Sequence, residues 1–406
     1  MERRVVITGL GIWSCLGTSL DDVRQSLYSG KSGIIFSQAR KDAGFRSALC
    51  ADVPKADLKK YLSRDLRKLM PEEAQYGYLA TIQAMEHAKL DQDFLDQNEV
   101  GVIYGNDSVA EATMTALDKF RQAGSTAACG SGAIFQSMNS TVTMNLATLL
   151  HLRGINLTAS AACASGSHSV GLSYLLIKDG LQDCIICGGA QEANMFSVAS
   201  FDGLMAFSTR EDEPTKASRP FDKDRDGLVP GGGAATLVLE SYEHAVKRGA
   251  PILAEIVGWG FSGNGDHIST PNVAGPTRSL ELCLKNGGIN PRDIGYINAH
   301  ATSTHAGDGR EALAIANIFG DYRVPVTSTK SQTGHEMWMA GASELIYSIL
   351  MMKNDFIGGS LNFENPDEDT ACINVIPETR EAHFDMFLSN SFGFGGTNSS
   401  LIIKNL

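Results

Sequence analysis

Short apolar runs alternate with amphipathic stretches along almost the whole chain. Runs of strand length occupy residues 4–16, 100–105, 183–189, 234–240, 252–263, 294–300, 324–329, 387–390 and 400–404, and a further strand begins at Ile155. Stretches with helical spacing occupy residues 21–29, 65–90, 169–179, 276–286, 309–319 and 345–352. This alternation predicts an α/β fold whose parallel sheets are covered by helices on both faces.

The strand predicted at 252–263 repeats the design of the first strand. Both begin with an apolar run and continue with glycine, one large residue and glycine, as ILAEIVGWGFSG and RVVITGLGIWSC show. Two stretches that begin alike indicate a duplicated α/β unit. We place the boundary in the helix and linker of residues 241–249, which gives an N-terminal half of 1–249 and a C-terminal half of 250–406.

Composition limits the class of protein. The 406 residues are 43% hydrophobic and 20% charged, as in soluble globular proteins. We see no basic and apolar leader and no apolar run of bilayer length, so we expect a cytoplasmic protein without membrane contact. Eight scattered cysteines do not suggest a disulfide framework. The net charge of −12 argues against nucleic acid as a partner.

One basic segment stands out in this acidic chain. Residues 55–68 contain six basic side chains, at Lys55, Lys59, Lys60, Arg64, Arg67 and Lys68. Such a patch can steer an acidic partner to the surface. An ordinary solvated helix face is the alternative.

A cysteine lies where a strand passes into a helix. The strand from Ile155 runs into the small residues around Cys163, and the helix of residues 169–179 follows. A thiol at the first turn of a helix meets unpaired N–H groups and the positive end of the helix dipole, which favour the thiolate. A buried structural cysteine is the alternative for this residue taken alone.

Three further polar residues follow predicted strands. His300 ends the strand at 294–300, Lys330 follows the strand at 324–329, and His335 comes five residues later. Catalytic groups in α/β sheets gather beyond the carboxyl ends of strands. We therefore expect Cys163, the two histidines and the lysine to form one site, together with the glycine loop at 392–398.

These motifs resemble those of the elongating β-ketoacyl-acyl carrier protein synthases, and most of all synthase I. The stretches GKSGIIFSQ, RPFDKDRDG and SNSFGFGGTN carry the resemblance along essentially the whole chain. It implies a thiolase-like fold of two similar halves in a five-layered αβαβα arrangement, and a homodimer. It also implies decarboxylative Claisen condensation of an enzyme-bound acyl thioester with malonyl-acyl carrier protein, in fatty acid elongation. The substrates are then carried on phosphopantetheine, and neither a metal nor an organic cofactor is implied.

The resemblance also implies roles for single residues. Cys163 would be the nucleophile that takes the acyl group. His300 and His335 would donate hydrogen bonds to the enolate formed on decarboxylation. Lys330 would act electrostatically, because a charged lysine is not a base.

Further implied roles concern the surroundings of the nucleophile. Lys330 would pair with the acidic residues Asp308 and Glu311, which lie three apart on a predicted helix, and Glu344 would be buried and polar. The backbone N–H groups of Cys163 and Phe394 would form an oxyanion hole, with the Phe394 ring as gate. The acyl pocket would include Ser197, Phe201 and Leu228, and the carrier protein would dock at Lys60, Arg64 and Lys68.

The sequence departs from the family pattern at several positions. Large residues stand after His335, where the family usually has small ones, and other changes fall near both histidines and in the pocket; they are Glu336, Met337, Trp338, Met339, Ala301, His305, Ser197 and Leu228. We expect a reshaped acyl pocket. Two alternatives stay open: a ketosynthase of a specialised aryl polyene or polyketide pathway, and a non-catalytic partner subunit of the chain-length-factor kind. Cys163 argues against the latter.

Overall fold

The computed structural model describes residues 3–406, so Met1 and Glu2, with which the predicted first half begins, lie outside the described residues. The strands are β1 (Val5–Trp13), β2 (Ile34–Phe36), β3 (Leu49–Ala51), β4 (Val100–Gly105), β5 (Asn156–Ala159), β6 (Cys184–Gln191), β7 (Gly233–Ser241), β8 (Ala254–Gly263), β9 (Tyr296–Asn298), β10 (Pro325–Thr327), β11 (Phe356–Ile357), β12 (Asn374–Val375), β13 (Arg380–Glu381), β14 (Met386–Gly393) and β15 (Thr397–Asn405).

The helices fall between these strands, as the alternation predicts. They are α1 (Leu20–Ser29), α2 (Gln38–Asp42), α3 (Arg64–Arg67), α4 (Glu72–Ala88), α5 (Gln92–Gln97), α6 (Glu111–Ala123), α7 (Ala133–Ser137), α8 (Thr141–Leu149), α9 (Ser165–Lys178), α10 (Ala199–Gly203), α11 (Tyr242–Arg248), α12 (Ala274–Gly287), α13 (His305–Phe319), α14 (Lys330–Thr333) and α15 (Ala340–Lys353). None of these helices within residues 3–406 is long and apolar enough to cross a membrane.

Eleven strands form one sheet made of two similar halves. The first half has the order β1-β7-β6-β4-β5, and the second has the order β8-β15-β14-β9-β10-β12. In both halves the first two pairs of neighbouring strands are antiparallel, and the remaining pairs are parallel. A short antiparallel contact joins β1 to β8, with Val5 opposite Ile256. The repeated order explains why the two halves begin with the same sequence design.

The prediction of parallel sheets is wrong for the strands at the centre of the molecule. β14 turns into β15 through only three residues, Phe394–Gly396, and so short a connection can only join antiparallel strands. β7 likewise runs antiparallel to β6, which it follows after a long connection that contains the short helix α10. The sheet is therefore mixed.

Helices cover the sheet halves and separate them. α4 packs on β1 and β7, and α12 packs on β8, β15 and α13. Between the two halves lie α9, which contacts β4 and β6, and α15, which contacts α9, β7 and β14. The order helix, sheet, helix, sheet, helix gives the five layers that the resemblance implies. The largest apolar cluster includes residues of both central helices.

Two predicted helices differ from the observed ones. The stretch at 65–90 is not continuous, because Pro71 disfavours a helical conformation at the residue before it and instead caps α4. The helix predicted at 169–179 begins earlier, at Ser165, which brings its N-terminus to Cys163.

Candidate active site

A strained turn carries Cys163, the predicted nucleophile. Cys163 lies in a single 3₁₀ turn, Ala162–Ala164, between β5 and α9. Ala162 has a φ of +45°, a left-handed conformation that costs an L-residue roughly 1–2 kcal/mol. Its N–H donates to the carboxylate of Asp107 (3.2 Å), and Ser165 Oγ donates to its carbonyl oxygen (2.7 Å). These contacts hold the turn in place.

The thiol and the two histidines meet, as their strand-exit positions predict. Cys163 Sγ and one ring nitrogen from each of His300 and His335 lie within 4.8 Å of one another. The two imidazole rings are 5.3 Å apart and nearly perpendicular, with an interplanar angle of 86°. One half of the sheet supplies the sulfur and the other supplies both rings.

Both histidines are neutral at physiological pH. Burial lowers the pKa of His300 and of His335 well below the usual value, and the charge of Lys330 lowers both further. A neutral imidazole has one N–H and one bare nitrogen. Within the described chain, His335 has no hydrogen-bond partner at either nitrogen and His300 has none at Nδ1. The rings are thus free to bind a polar group of a substrate.

Lys330 forms a buried ion pair with Glu344 of α15. Burial raises the pKa of the Glu344 carboxyl to about 8, although Lys330 opposes the rise. The predicted direct pairing of Lys330 with Asp308 is therefore corrected, because that carboxylate is engaged elsewhere. Glu311 makes no ion pair with Lys330, but the charge of Lys330 lowers the pKa of its carboxyl against the effect of burial. Asp308 accepts the backbone N–H groups of Phe221 (2.8 Å) and Thr304 (3.2 Å).

Glu311 fixes the backbone at the first histidine. Its carboxylate accepts the N–H groups of His300 (2.9 Å) and Ala301 (2.7 Å) and the side-chain amide of Asn390 (3.0 Å). Strand β9 has ended by this point, so these N–H groups would otherwise lack partners. Asn390, which sequence reasoning missed, stands in the SNSFGFGGTN stretch and links it to Glu311.

The thiol is not a thiolate in the closed pocket. Burial raises the pKa of Cys163 to about 11, although Lys330 and the backbone N–H groups of Phe394 and Cys163 itself lower it. The start of α9 does not offset the desolvation of a side chain that is only 6% exposed. The same two N–H groups, which lie close to the sulfur, are the predicted donors of an oxyanion hole.

This thiol pKa predicts how the free enzyme reacts with an alkylating agent. Only the thiolate reacts, so we expect iodoacetamide to alkylate Cys163 at a rate that rises about tenfold per pH unit between pH 7 and pH 9, without a plateau. Intact mass measured over time gives the rate, with Cys163→Ser as the variant that identifies the site. A plateau below pH 8 would mean that the thiolate is preformed.

A cavity of about 400 Å³ opens at Cys163 and is lined by His300, His335, Phe201, Leu228 and Phe394 among others. The Phe394 ring is 38% exposed and stacks on Phe201 at 6.1 Å. The predicted gate therefore stands at the mouth of the cavity.

One predicted pocket residue is placed elsewhere. Ser197 does not line the cavity, because its hydroxyl lies within hydrogen-bond distance of the backbone carbonyl oxygens of Asn194 (3.0 Å) and Glu192 (3.3 Å). The predicted docking residues are also apart from the cavity; Lys60, Arg64 and Lys68 are exposed near α3.

The unusual residues after His335 are all buried. Glu336 accepts hydrogen bonds from Ser343 (2.6 Å) and Tyr347 (2.9 Å), and burial raises its pKa to about 7. Trp338 packs in an apolar cluster that includes Cys163. Sequence reasoning flagged these positions but could not assign their contacts.

Taken together, the cysteine, the paired N–H donors and the two neutral imidazoles define a class of enzyme. The thiol can accept an acyl group as a thioester, and the rings can stabilise negative charge beside it. The chain belongs to the β-ketoacyl synthase family, the condensing enzymes of the thiolase-like fold: the family models for the Beta-ketoacyl synthase N-terminal and C-terminal domains match residues 2–245 and 253–364.

Full-length relatives and solved structures agree with this membership. The chain is 40% identical to 3-oxoacyl-[acyl-carrier-protein] synthase 1 of Haemophilus influenzae, over 99% of both chains. It is 38% identical to the enzyme of that name from Escherichia coli, over 100% of this chain and 99% of the other. A β-ketoacyl synthase from Burkholderia phymatum superposes with a TM-score of 0.95 at 36% identity, over the whole of both chains. A type II polyketide ketosynthase in complex with its acyl carrier protein matches over the whole of both chains, with a TM-score of 0.89 at 27% identity.

Proposed function

We propose that this enzyme condenses an acyl group held on Cys163 with malonyl-acyl carrier protein, giving 3-oxoacyl-acyl carrier protein and carbon dioxide in fatty acid elongation. The observation that carries the proposal is the meeting of one thiol and two neutral imidazoles at the end of a cavity. The relatives named 3-oxoacyl-[acyl-carrier-protein] synthase 1 support the same reaction.

In the first half-reaction Cys163 Sγ attacks the carbonyl carbon of the acyl-phosphopantetheine thioester. The backbone N–H groups of Cys163 and Phe394 stabilise the oxyanion. The carbon–sulfur bond to phosphopantetheine then breaks, and the proton of the Cys163 thiol ends on the departing sulfur. The positive charge of Lys330 lowers the energy of the thiolate during the attack.

In the second half-reaction malonyl thioester loses its carboxylate as carbon dioxide, and the bond electrons form an enolate. The N–H groups of His300 and His335 donate to the enolate oxygen, which their neutral state allows. The enolate carbon attacks the acyl carbonyl on Cys163. The sulfur leaves as a thiolate and takes up a proton from solvent, which restores the resting enzyme. No step uses a metal or an organic cofactor.

Acyl carrier protein is the partner that this chemistry requires. The solved complex of a related ketosynthase with its carrier protein supports such a partner. We place its docking site on the exposed basic side chains of Lys60, Arg64 and Lys68, because carrier proteins present acidic surfaces and opposite charge steers association.

Charge reversal tests this docking site. We expect the triple variant Lys60→Glu, Arg64→Glu and Lys68→Glu to raise KM for carrier-bound substrate about tenfold or more and to leave kcat nearly unchanged, since the patch lies outside the cavity. The matched control carries the same charge change at exposed Lys247, Lys285 and Lys404. Equal KM values for the two variants would show that the carrier protein docks elsewhere on the enzyme.

A homodimer and a cytoplasmic location complete the proposal. β5 is the last strand of its sheet half, and an unpaired edge offers pairing to a second copy. Large apolar side chains stand exposed on β5 and α7; they are Leu157, Ile134 and Phe135. All eight cysteines are unpaired, which supports a reducing compartment.

Intact-mass analysis tests the proposed reaction directly. The enzyme is mixed with acyl carrier proteins bearing saturated, unsaturated or aryl-polyene groups, and malonyl-acyl carrier protein is added afterwards. An acyl adduct on Cys163 that disappears as 3-oxoacyl-acyl carrier protein forms is the expected result. No adduct with any acyl group would refute the proposal and revive the partner-subunit alternative.

A ketosynthase of a specialised aryl polyene or polyketide pathway is the second candidate. The large residues at Glu336, Met337, Trp338 and Met339, where the family usually has small ones, favour it because they reshape the acyl side of the site. Preference for conjugated or aryl groups in the same assay would support this pathway over primary lipid synthesis.

A further inference from the structure

Close packing against α9 and β6 fixes one side of the backbone turn that carries Trp338. The 3₁₀ turn Met337–Met339 leads into α15 and presses on α9 and β6. Its contacts there are with glycines: a Cβ at Gly166 would lie 2.9 Å from the carbonyl oxygen of Trp338, and one at Gly189 would lie 2.6 Å from it. The Trp338 backbone already occupies the space beside these two glycines, so the turn cannot move closer to α9 or β6.

Glu336 holds the same turn from the other end. Its two carboxylate oxygens accept the hydroxyl groups of Ser343 (2.6 Å) and Tyr347 (2.9 Å), both on α15. The next residue, Met337, has a φ of +48°, which a residue of that size adopts only when its surroundings enforce it. The position of the Trp338 indole is therefore set by the backbone on both sides of it.

The indole projects into the apolar space beside the nucleophile. Trp338 shares a buried cluster with Cys163, Phe207 and Leu228, and its ring lies 6.3 Å from that of Phe201. Phe201 in turn stacks on Phe207 at 6.4 Å, with the two rings only 7° from parallel.

The open cavity stops at this cluster. Cys163, Phe201 and Leu228 line the cavity, whereas Trp338, Met337 and Phe207 do not. The apolar volume behind Phe201 is thus occupied by side chains. A chain entering it has to displace them from a close-packed interior, which resists such displacement.

From these contacts we infer that Trp338 limits the length of the acyl group that Cys163 accepts, and that the enzyme selects short acyl chains. The inference rests on the proposed function, because it concerns the thioester formed on Cys163. A short chain fits between Phe201 and Leu228. A long acyl chain contacts the indole of Trp338, and the indole cannot move away because the backbone of Trp338 is fixed.

Acylation rates with carrier proteins bearing butyryl and dodecanoyl groups test the inference. We expect the wild-type enzyme to form the butyryl adduct at least tenfold faster than the dodecanoyl adduct. Trp338→Leu should raise the dodecanoyl rate at least tenfold and change the butyryl rate less than threefold. Trp338→Phe keeps an aromatic ring at this position and should keep most of the preference for butyryl over dodecanoyl groups. This smaller change is the variant to measure if Trp338→Leu does not fold.

Trp13→Leu is the matched control, because it removes an indole that belongs to neither the cavity nor the cluster around Cys163. It should leave the ratio of the two rates unchanged. Equal rates for both acyl groups in the wild-type enzyme, or a Trp338→Leu ratio like that of the wild type, would overturn the inference while leaving the proposed reaction intact. Failure to form any adduct would instead refute the proposed function.

Discussion

Replacing Cys163 by alanine should abolish condensation, lowering the rate at least a thousandfold, because no other described group offers a nucleophile at the end of the cavity. Formation of 3-oxoacyl-acyl carrier protein, followed by mass spectrometry, measures the loss. Cys163→Ala should nevertheless still release carbon dioxide from malonyl-acyl carrier protein. The two imidazoles that we propose as donors to the enolate remain in place, since Glu311 and not the thiol holds the backbone of His300.

A second substitution separates the two half-reactions. Adding His300→Ala to Cys163→Ala should lower the remaining decarboxylation about a hundredfold or more, the usual cost of removing one preorganised donor. His300→Ala alone should acylate Cys163 at a rate close to that of the wild type. Full condensation by Cys163→Ala would refute the assignment, and equal losses in acylation and decarboxylation would contradict the separate roles.

Replacing Lys330 by methionine should destabilise the fold by up to about 2 kcal/mol at pH 9.5, because Glu344 loses its partner and must stay protonated above its wild-type pKa, at about 1.4 kcal/mol per pH unit. Both side chains are almost completely buried, at 2% and 1% exposure, so solvent does not screen the loss. Urea denaturation at two pH values measures the effect. Activity should be lost as well, since Lys330 is the nearby charge that opposes desolvation of the thiol.

Glu344 makes the stability of the fold decrease as the pH rises. Burial raises the pKa of Glu344 to about 8 in the folded protein, above its value in the unfolded chain. Such a group stabilises the fold when protonated, and this contribution is lost as the pH rises through the folded pKa. Without Lys330 the pKa of Glu344 rises further, so the Lys330→Met variant should be closer in stability to the wild type at pH 6.5, where Glu344 is protonated in both, than at pH 9.5.

A double variant provides the control. Lys330→Met combined with Glu344→Gln removes both charges, and it should recover most of the stability at pH 9.5 but none of the activity. A single Lys330→Met variant that is equally stable at both pH values, or a double variant no more stable than the single, would show that the ion pair does not govern stability here.

The apolar pattern of the sequence predicted the location of the candidate site better than it predicted which charged side chains pair there. Strand exits at His300 and Lys330 were visible because apolar runs end there. The ion-pair partner of Lys330 was not visible. Glu311 is used by backbone N–H groups that the end of β9 leaves unpaired, and Asp308 is used by backbone N–H groups of two loops. A sequence does not show which backbone groups lack partners.

The sequence also did not show the direction of individual strands or the depth at which the Cys163 thiol is buried. An apolar run reads the same for either direction of β7 or β15, so parallel sheets were a reasonable but wrong expectation. The helix start beside Cys163 was visible, but the depth of burial that raises the pKa of its thiol depends on residues far along the chain, among them Phe207 and Trp338.

The sulfur and the imidazoles belong to different halves of a repeated sheet, and this has a consequence for how the protein is made. A chain leaving the ribosome presents Cys163 long before either histidine has been synthesised. A truncated product therefore has a thiol but cannot decarboxylate malonyl thioester. The complete set of reacting groups therefore exists only once the second half has folded against the first.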